Sequence, residues 1–149
     1  MVSEHQFCTF QLDDLFLGIE VLRVQEVIRS QPMTRVPLAP AAVRGLINLR
    51  GRIVTAIDLR ERFGLPKLAT GRVSTNVVLA TEDGEVGLLV DEIGDVLEAT
   101  EAQFEEPPVT LPARARGLIR GVYKLPGRLL LVLDTEKALQ LDPSPGARQ

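Results

Sequence analysis

The chain has 149 residues, enough for one domain or two small fused units, and its 45% hydrophobic and 25% charged residues are typical of a globular protein. A net charge of −3 argues against nucleic acid as a partner, because nucleic-acid-binding proteins usually carry a basic face. The single cysteine, Cys8, excludes an internal disulfide and a thiolate zinc site. The N-terminus has no signal pattern and no apolar run approaches ~18 residues, so we expect a cytoplasmic protein without direct membrane insertion.

The apolar segments are short, rich in Val, Ile and Leu, and separated by Gly, Asp, Asn or Pro. In chain order they are FCTFQL, LFLGIEV, VQEVI, GLINL, RIVTAIDL, NVVLAT, EVGLLVDEI, GLIRGVYKL and RLLLVLD. Segments of this length and spacing predict strands, and therefore an all-β barrel or sandwich. Turn residues at 13–14 and 82–84 predict two hairpins. Short helices are predicted at 59–63 and 135–141, the second capped by Asp134.

Two further segments lack a regular pattern. FEEPPVTLPARA, at residues 104–115, contains three prolines and is predicted to be an irregular connection. The last residues, 143–149, are predicted to be a flexible tail.

The chain also repeats itself. When it is shifted by 76 residues, VRGLINLRGRIVTAID (43–58) aligns without a gap with IRGVYKLPGRLLLVLD (119–134). Six of the sixteen positions are identical: Arg44/Arg120, Gly45/Gly121, Leu49/Leu125, Gly51/Gly127, Arg52/Arg128 and Asp58/Asp134. A looser match precedes it at a shift of 69. The repeat predicts two similar β units, roughly residues 12–65 and 79–140, that share an apolar interface.

The repeat also separates structural residues from candidate functional ones. Gly51 and Gly127 recur and are predicted to form turns that need a positive φ, and Gly121 is grouped with them as a structural glycine. Arg52 and Asp58 recur as well, which favours a repeated surface ion pair or a strand-end cap. Arg50 does not recur, because Pro126 occupies its place. The fold therefore tolerates the loss of this arginine, which makes Arg50 a candidate for recognition.

Residues suited to catalysis are sparse. His5 is the only histidine and lies near the N-terminus, and no phosphate-binding glycine motif occurs. We therefore predict no enzymatic activity, no metal site and no cofactor. An interaction module suits the residues better, since small barrels leave sheet edges and a cleft for docking. A small-ligand-binding or enzymatic β-barrel that uses the cleft between the units remains the alternative.

The segments RVQEVI, TRVPLAPAAVRGLINLRGRIVTAIDLRERFGL, GLLVDEIGDVL and IRGVYKLPGRLLLVLDTEKAL together resemble the CheW-like family of chemotaxis coupling proteins. The resemblance covers nearly the whole chain, from about residue 7 to 141. It implies a single CheW-like domain at 1–142, built from two SH3-like β-barrel subdomains around a shared hydrophobic core. The N-terminal strand and the C-terminal helix would complete the barrels.

The resemblance further implies a non-enzymatic adaptor. Members of the CheW-like family join the cytoplasmic tips of methyl-accepting chemoreceptors to the regulatory domain of the CheA histidine kinase, in an array under the inner membrane. By matched position, the receptor-binding surface would comprise Val24, Glu26, Gly45 and Arg50, with Asn48 beside them.

Kinase contact would involve the segment from residue 104 to 110, and in particular Phe104, Val109 and Thr110. Here the sequence FEEPPVT, with adjacent acids and prolines, departs from the family pattern, which could weaken kinase binding. An adaptor in a gliding or twitching-motility pathway that binds receptor but not kinase, or a purely structural array component, is therefore also conceivable.

Overall fold

The computed structural model describes residues 4–29, 31–68 and 73–140. Strands dominate these residues, with three short α-helices and two single 3₁₀ turns between them. The strands are β1 (Glu4–Leu12), β2 (Leu15–Glu20), β3 (Val24–Arg29), β4 (Val43–Leu49), β5 (Arg52–Asp58), β6 (Thr75–Thr81), β7 (Gly84–Val90), β8 (Glu92–Thr100), β9 (Phe104–Glu105), β10 (Ile119–Leu125) and β11 (Arg128–Leu133). The helices are α1 (Leu59–Phe63), α2 (Ala113–Arg116) and α3 (Thr135–Ala138).

The described strands form two sheets. One has six strands in the order β8-β1-β2-β11-β10-β9, and the other has five in the order β3-β6-β7-β5-β4. Most neighbouring strands are antiparallel, and the predicted hairpins form as β1–β2 and β6–β7. Two pairs are parallel, β2 with β11 and β5 with β7.

The two sheets interleave the halves of the sequence. Each repeat contributes its first hairpin to the sheet that holds the last strands of the other repeat. The β1–β2 hairpin thus joins β11 through β2, and the β6–β7 hairpin joins β5 through β7. The two repeats meet at both parallel pairs and at two antiparallel pairs, β1 with β8 and β3 with β6. The sheets therefore do not separate at the expected boundaries of 12–65 and 79–140.

Short helices follow the last strand of each repeat. Asp58 accepts hydrogen bonds from the backbone N–H groups of Arg60 and Glu61, and Gly64 ends α1 with a φ of 72°. Asp134 caps α3 in the same way, through the N–H of Lys137. Within the described residues α3 ends at Ala138, short of the expected 141, a residue that lies outside them. The expected irregular connection contains one additional helical turn, α2, which begins after Pro112.

The largest apolar cluster joins the two sheets. Phe10 and Leu17 from the six-stranded sheet pack with Val77 and Leu88 from the five-stranded sheet, and all four are completely buried. Each sheet has a smaller cluster of its own. The predicted all-β fold, with two subdomains around a shared hydrophobic core, is confirmed. Cys8 is buried as well, and burial raises the pKa of its thiol, as expected of an inert cysteine.

Candidate functional site

The turn between β4 and β5 has a conformation that few residues adopt readily. Leu49 pairs with Arg52 across a two-residue connection in which Arg50 has a φ of 53° and Gly51 a φ of 86°. Two successive positive φ angles are the signature of a type I′ turn, which matches the twist of a hairpin. The Asn48 side chain accepts a hydrogen bond from the Gly51 N–H at 2.9 Å. Asn48 therefore holds the turn that carries Arg50.

Arg50 belongs to a network of four charged side chains. Its Nη2 donates to Glu26 Oε1 at 2.5 Å, and Arg52 Nη2 donates to the same oxygen at 3.2 Å. Arg52 Nη1 also donates to Glu85 Oε2 at 2.9 Å. The Arg50 side chain is 63% exposed, whereas those of Glu26 and Glu85 are 27% and 15% exposed. The network thus presents the Arg50 guanidinium, with the 40% exposed Arg52 beside it, above carboxylates that are less exposed.

The charges of this network reinforce one another. The hydrogen bond from Arg50 is the main reason that the pKa of Glu26 lies below its ordinary value, and Arg52 lowers this pKa further. In return Glu26 raises the pKa of Arg50. Glu26 and Arg50 are therefore an ion pair at neutral pH, and a partner that binds here meets a charged, oriented guanidinium.

The other two expected receptor-binding residues have different surroundings. Val24 is half-buried on β3 and packs against the shared core. Gly45 is buried on β4, where a Cβ would lie 2.7 Å from the backbone oxygen of Thr34. The structure therefore brings Glu26, Asn48 and Arg50 together at the turn, while Gly45 supports the backbone beneath.

Gly127 and Gly121, the counterparts of Gly51 and Gly45 in the second repeat, have different structural roles. Gly127 has a φ of 80° in the β10–β11 turn, as expected for a structural turn residue. Gly121 was grouped with the turn glycines, but it lies within β10, so this assignment needs correction. The ring of Phe104 lies directly over Gly121 and occupies the space that a side chain would need. Gly121 is thus a glycine of close packing.

The segment expected to contact a kinase divides into two parts. Phe104 is 40% exposed and meets Tyr123 edge-on, with ring centroids 5.3 Å apart. Val109 is 83% exposed, and Thr110 beside it is exposed as well. These two lie in a turn closed by a hydrogen bond from the Leu111 N–H to the Pro108 oxygen at 3.2 Å. Phe104 is therefore partly used for packing, whereas Val109 is free to contact a partner.

Comparison with protein families agrees with this architecture. The family model described as the CheW-like domain matches residues 6–142. The chain belongs to the CheW-like domain family.

Relatives share this CheW-like domain at moderate identity. The chain is similar to chemotaxis protein CheW of Treponema pallidum, at 33% identity over 91% of this chain and 82% of that protein. It is also similar to chemotaxis protein CheW of Klebsiella aerogenes, at 34% identity over 90% and 81% of the two chains. Among solved structures, the scaffolding protein TtCheW from Thermoanaerobacter tengcongensis matches with a TM-score of 0.82 and 25% identity, over 94% of this chain and 95% of that one.

Sequence reasoning did not identify Arg52 and Glu85 as members of the charged network of this CheW-like domain. Arg52 and Asp58 recur together, but they do not pair with each other: Arg52 binds Glu26 and Glu85, whereas Asp58 caps α1 and pairs with Arg44. Arg128, the counterpart of Arg52, stacks over the ring of Phe16 at 3.8 Å. The signal that could have found Glu85 is its place opposite Val54 on the neighbouring parallel strand, which a single sequence does not reveal.

Across 4–29, 31–68 and 73–140, no group of three or more His, Cys, Asp or Glu side chains is arranged to hold a metal ion. None of the helices in this part of the chain has the length and apolar character needed to cross a membrane.

Proposed function

We propose that this CheW-like protein is a non-enzymatic adaptor of chemosensory signalling, which couples the tip of a methyl-accepting chemoreceptor to the regulatory domain of a CheA histidine kinase. The observation that carries the proposal is the oriented, exposed guanidinium of Arg50 above Glu26. An adaptor of this kind acts at the cytoplasmic face of the inner membrane, where receptors recruit it. It holds two partners in one geometry and so raises their effective concentration for each other.

The docking surface suits a helical receptor tip. Glu26, which also accepts a hydrogen bond from Arg52, holds the Arg50 guanidinium in place, so little side-chain freedom is lost when a partner carboxylate or backbone carbonyl binds its remaining donors. Val27 is 39% exposed and Ile53 is 59% exposed, on the strands that carry Glu26 and Arg52. Each directly follows Glu26 or Arg52 in its strand and therefore faces the opposite side of the sheet, so the apolar contact that they offer an amphipathic helix lies beside the charged network and not within it.

The repeat supports a recognition role for Arg50 rather than a structural one. A positive φ costs an arginine more than it costs asparagine or glycine, so the turn chemistry alone does not favour arginine here. The counterpart hairpin forms with proline in this place. Arg50 thus occupies a position where the backbone prefers another residue, as expected for a functional side chain.

A receptor-only adaptor, for example in a gliding or twitching-motility pathway, is the second candidate. The acidic kinase-side segment favours it: Glu105 is paired with Lys124 at 3.4 Å, but Glu106 is exposed beside Pro107 and Pro108. Glu106 forms no ion pair with the residues that the structure describes, and its carboxylate would repel an acidic partner surface. Binding to the kinase domain decides between the two candidates.

The test is a pair of titrations. Purified protein is titrated with a receptor cytoplasmic tip and, separately, with the CheA regulatory domain from the same organism. Saturable binding to both establishes the coupling role, and binding to the receptor alone establishes the second candidate. Failure to bind the receptor would refute both proposals.

A matched pair of variants tests the site itself. Arg50→Asn removes the guanidinium but retains a residue that tolerates a positive φ, so we expect receptor affinity to fall at least tenfold while the melting temperature does not fall. Arg120→Asn makes the same change at an exposed arginine of β10, in the other sheet, and should leave receptor affinity unchanged. Equal loss of affinity in the two variants would show that only net charge matters and would remove Arg50 from the site.

A further inference from the structure

A basic cavity lies on the side of the molecule formed by the three helices. It measures about 280 Å³, and its polar lining consists of Arg62 at the end of α1, Arg114 on α2, Lys137 on α3, and Gln140. Among the described residues, the rest of the lining is small or apolar, with Leu118 the largest. Three basic residues thus line one concave site of a chain whose net charge is −3.

The two arginines of the cavity are fixed by main-chain oxygens. Arg62 donates through Nε to the Ala138 oxygen at 2.9 Å and through Nη2 to the Lys137 oxygen at 2.7 Å. Arg114 donates in the same manner to the oxygens of Arg62, at 2.9 Å, and Glu61, at 2.7 Å. Each guanidinium has five N–H donors, so three on each remain for a ligand, chiefly on Nη1.

The charges of this cavity are not balanced within the described part of the chain. Five of the other described arginines and lysines contact carboxylates at 2.5–3.6 Å, namely Arg44, Arg50, Arg52, Arg60 and Lys124. By contrast, Arg62, Arg114 and Lys137 form no ion pair with any residue that the structure describes. Bonds to helix carbonyls explain the orientation of the arginines but not the presence of Lys137 in the same lining.

We propose that this cavity binds a phosphate-type oxyanion, either free or as a phosphoryl group on a small molecule. Three cations match a dianion better than a single carboxylate, and guanidinium groups bind phosphate through paired donors. The cavity has room for a phosphate and for part of a molecule that carries it, and no aromatic side chain among its described lining residues could stack on a nucleobase. The site is separate from the Arg50 surface, so this proposal does not depend on the proposed function.

Lys137→Met is the variant that tests the site. Arg62 and Arg114 also hold helix ends, so their removal could unfold the protein, whereas the Lys137 side chain makes no hydrogen bond with the described residues. Lys124→Met is the matched control, because it removes the same charge from an exposed lysine of β10. The folded state of each variant is checked by its melting temperature.

Inorganic phosphate and O-phosphoserine are titrated separately into the full chain at constant ionic strength, and backbone amide shifts are followed by NMR. We expect saturable shifts at Gly117 and Leu118, with a Kd on the order of 1 mM or below. This Kd should be at least threefold higher in Lys137→Met and unchanged in Lys124→Met. Binding of phosphate indicates a free ion, and binding of O-phosphoserine alone indicates a carried phosphoryl group. Absence of saturable shifts at these amides with both probes, or equal weakening in both variants, would overturn the proposal.

Discussion

Arg50 combines an unfavourable backbone conformation with a well-made ion pair, so its side chain and its backbone can be tested separately. In Arg50→Asn the backbone is relieved and the contact to Glu26 is lost. Because Arg50 is the main cause of the low pKa of Glu26, this pKa should rise toward the ordinary glutamate value, though Arg52 will still lower it. Carbon-detected NMR titration of the Glu26 carboxyl measures the change. An unchanged pKa would mean that the pair does not form in solution.

The sign of the accompanying pH dependence follows from the direction of that shift. A carboxyl whose pKa is lowered by folding stabilises the native state above its unfolded pKa, and this contribution is lost as the pH falls through the folded value. The wild-type protein and Arg50→Asn should therefore differ in their pH dependence of stability only below the ordinary glutamate range, near pH ~4.3.

Gly51 tests the turn without disturbing any neighbour. A Cβ at this position would contact nothing within 4 Å, so any cost of substitution comes from the φ of 86° alone. We expect Gly51→Val to lower the free energy of unfolding by about 1–3 kcal/mol, and Gly51→Asn to lower it by less than half as much, because asparagine tolerates positive φ. Urea unfolding measures both. Equal losses in the two variants would show that the turn does not require this conformation.

At the scale of elements, local chemistry was predictable and partner choice was not. Asp134 was recognisable as a candidate helix cap and Asp58 only as part of a repeated ion pair or strand-end cap, and the hairpins followed from their turn residues. Helix α2 was missed, because the three prolines that precede it in the segment 104–115 suggested an irregular connection. The partners of Arg52 were missed as well, since a repeat reveals that two positions are equivalent but not which strands meet beside them.

The two equivalent glycines, Gly45 and Gly121, lie beneath equivalent covering segments. Thr34 pairs with Leu46 as Glu105 pairs with Val122, at the same place in each repeat. Over Gly45 the nearest atom is the Thr34 carbonyl oxygen, whereas over Gly121 it is the ring of Phe104. The Thr34 backbone is held by two hydrogen bonds to Leu46, of 2.9 and 2.8 Å, whereas Phe104 is 40% exposed. Thr34 therefore moves aside for an added Cβ less readily than the Phe104 ring does.

Alanine at each of these glycines should therefore have different effects. We expect Gly45→Ala to destabilise the protein by about 2–3 kcal/mol, as overpacking does, and Gly121→Ala by about 1 kcal/mol, the value of the aromatic contact it displaces. Urea unfolding gives both values, and near-UV circular dichroism of Tyr123, the single tyrosine, reports loss of the Phe104 contact. A larger loss for Gly121→Ala than for Gly45→Ala would contradict this order.

At the scale of the whole molecule, the interleaving of the repeats has the strongest consequence. The first repeat supplies β1 and β2 to the six-stranded sheet and β3–β5 to the five-stranded sheet, and the second repeat supplies the remaining strands of both. The shared core likewise draws on both repeats. Neither half of the sequence contains a complete sheet, so similarity between the halves does not make them independent units.

This arrangement predicts complementation between fragments. When the chain is divided between residues 68 and 73, neither fragment should unfold cooperatively alone, because each lacks the strands that complete its sheets and cover its apolar faces. Mixed at equal concentration, the two should form a one-to-one complex with the circular dichroism spectrum of the intact protein and a concentration-dependent melting temperature. A fragment of residues 1–68 that unfolds cooperatively as a monomer would show that the first repeat is a self-contained barrel, and the exchange of hairpins between sheets would then not be needed for folding.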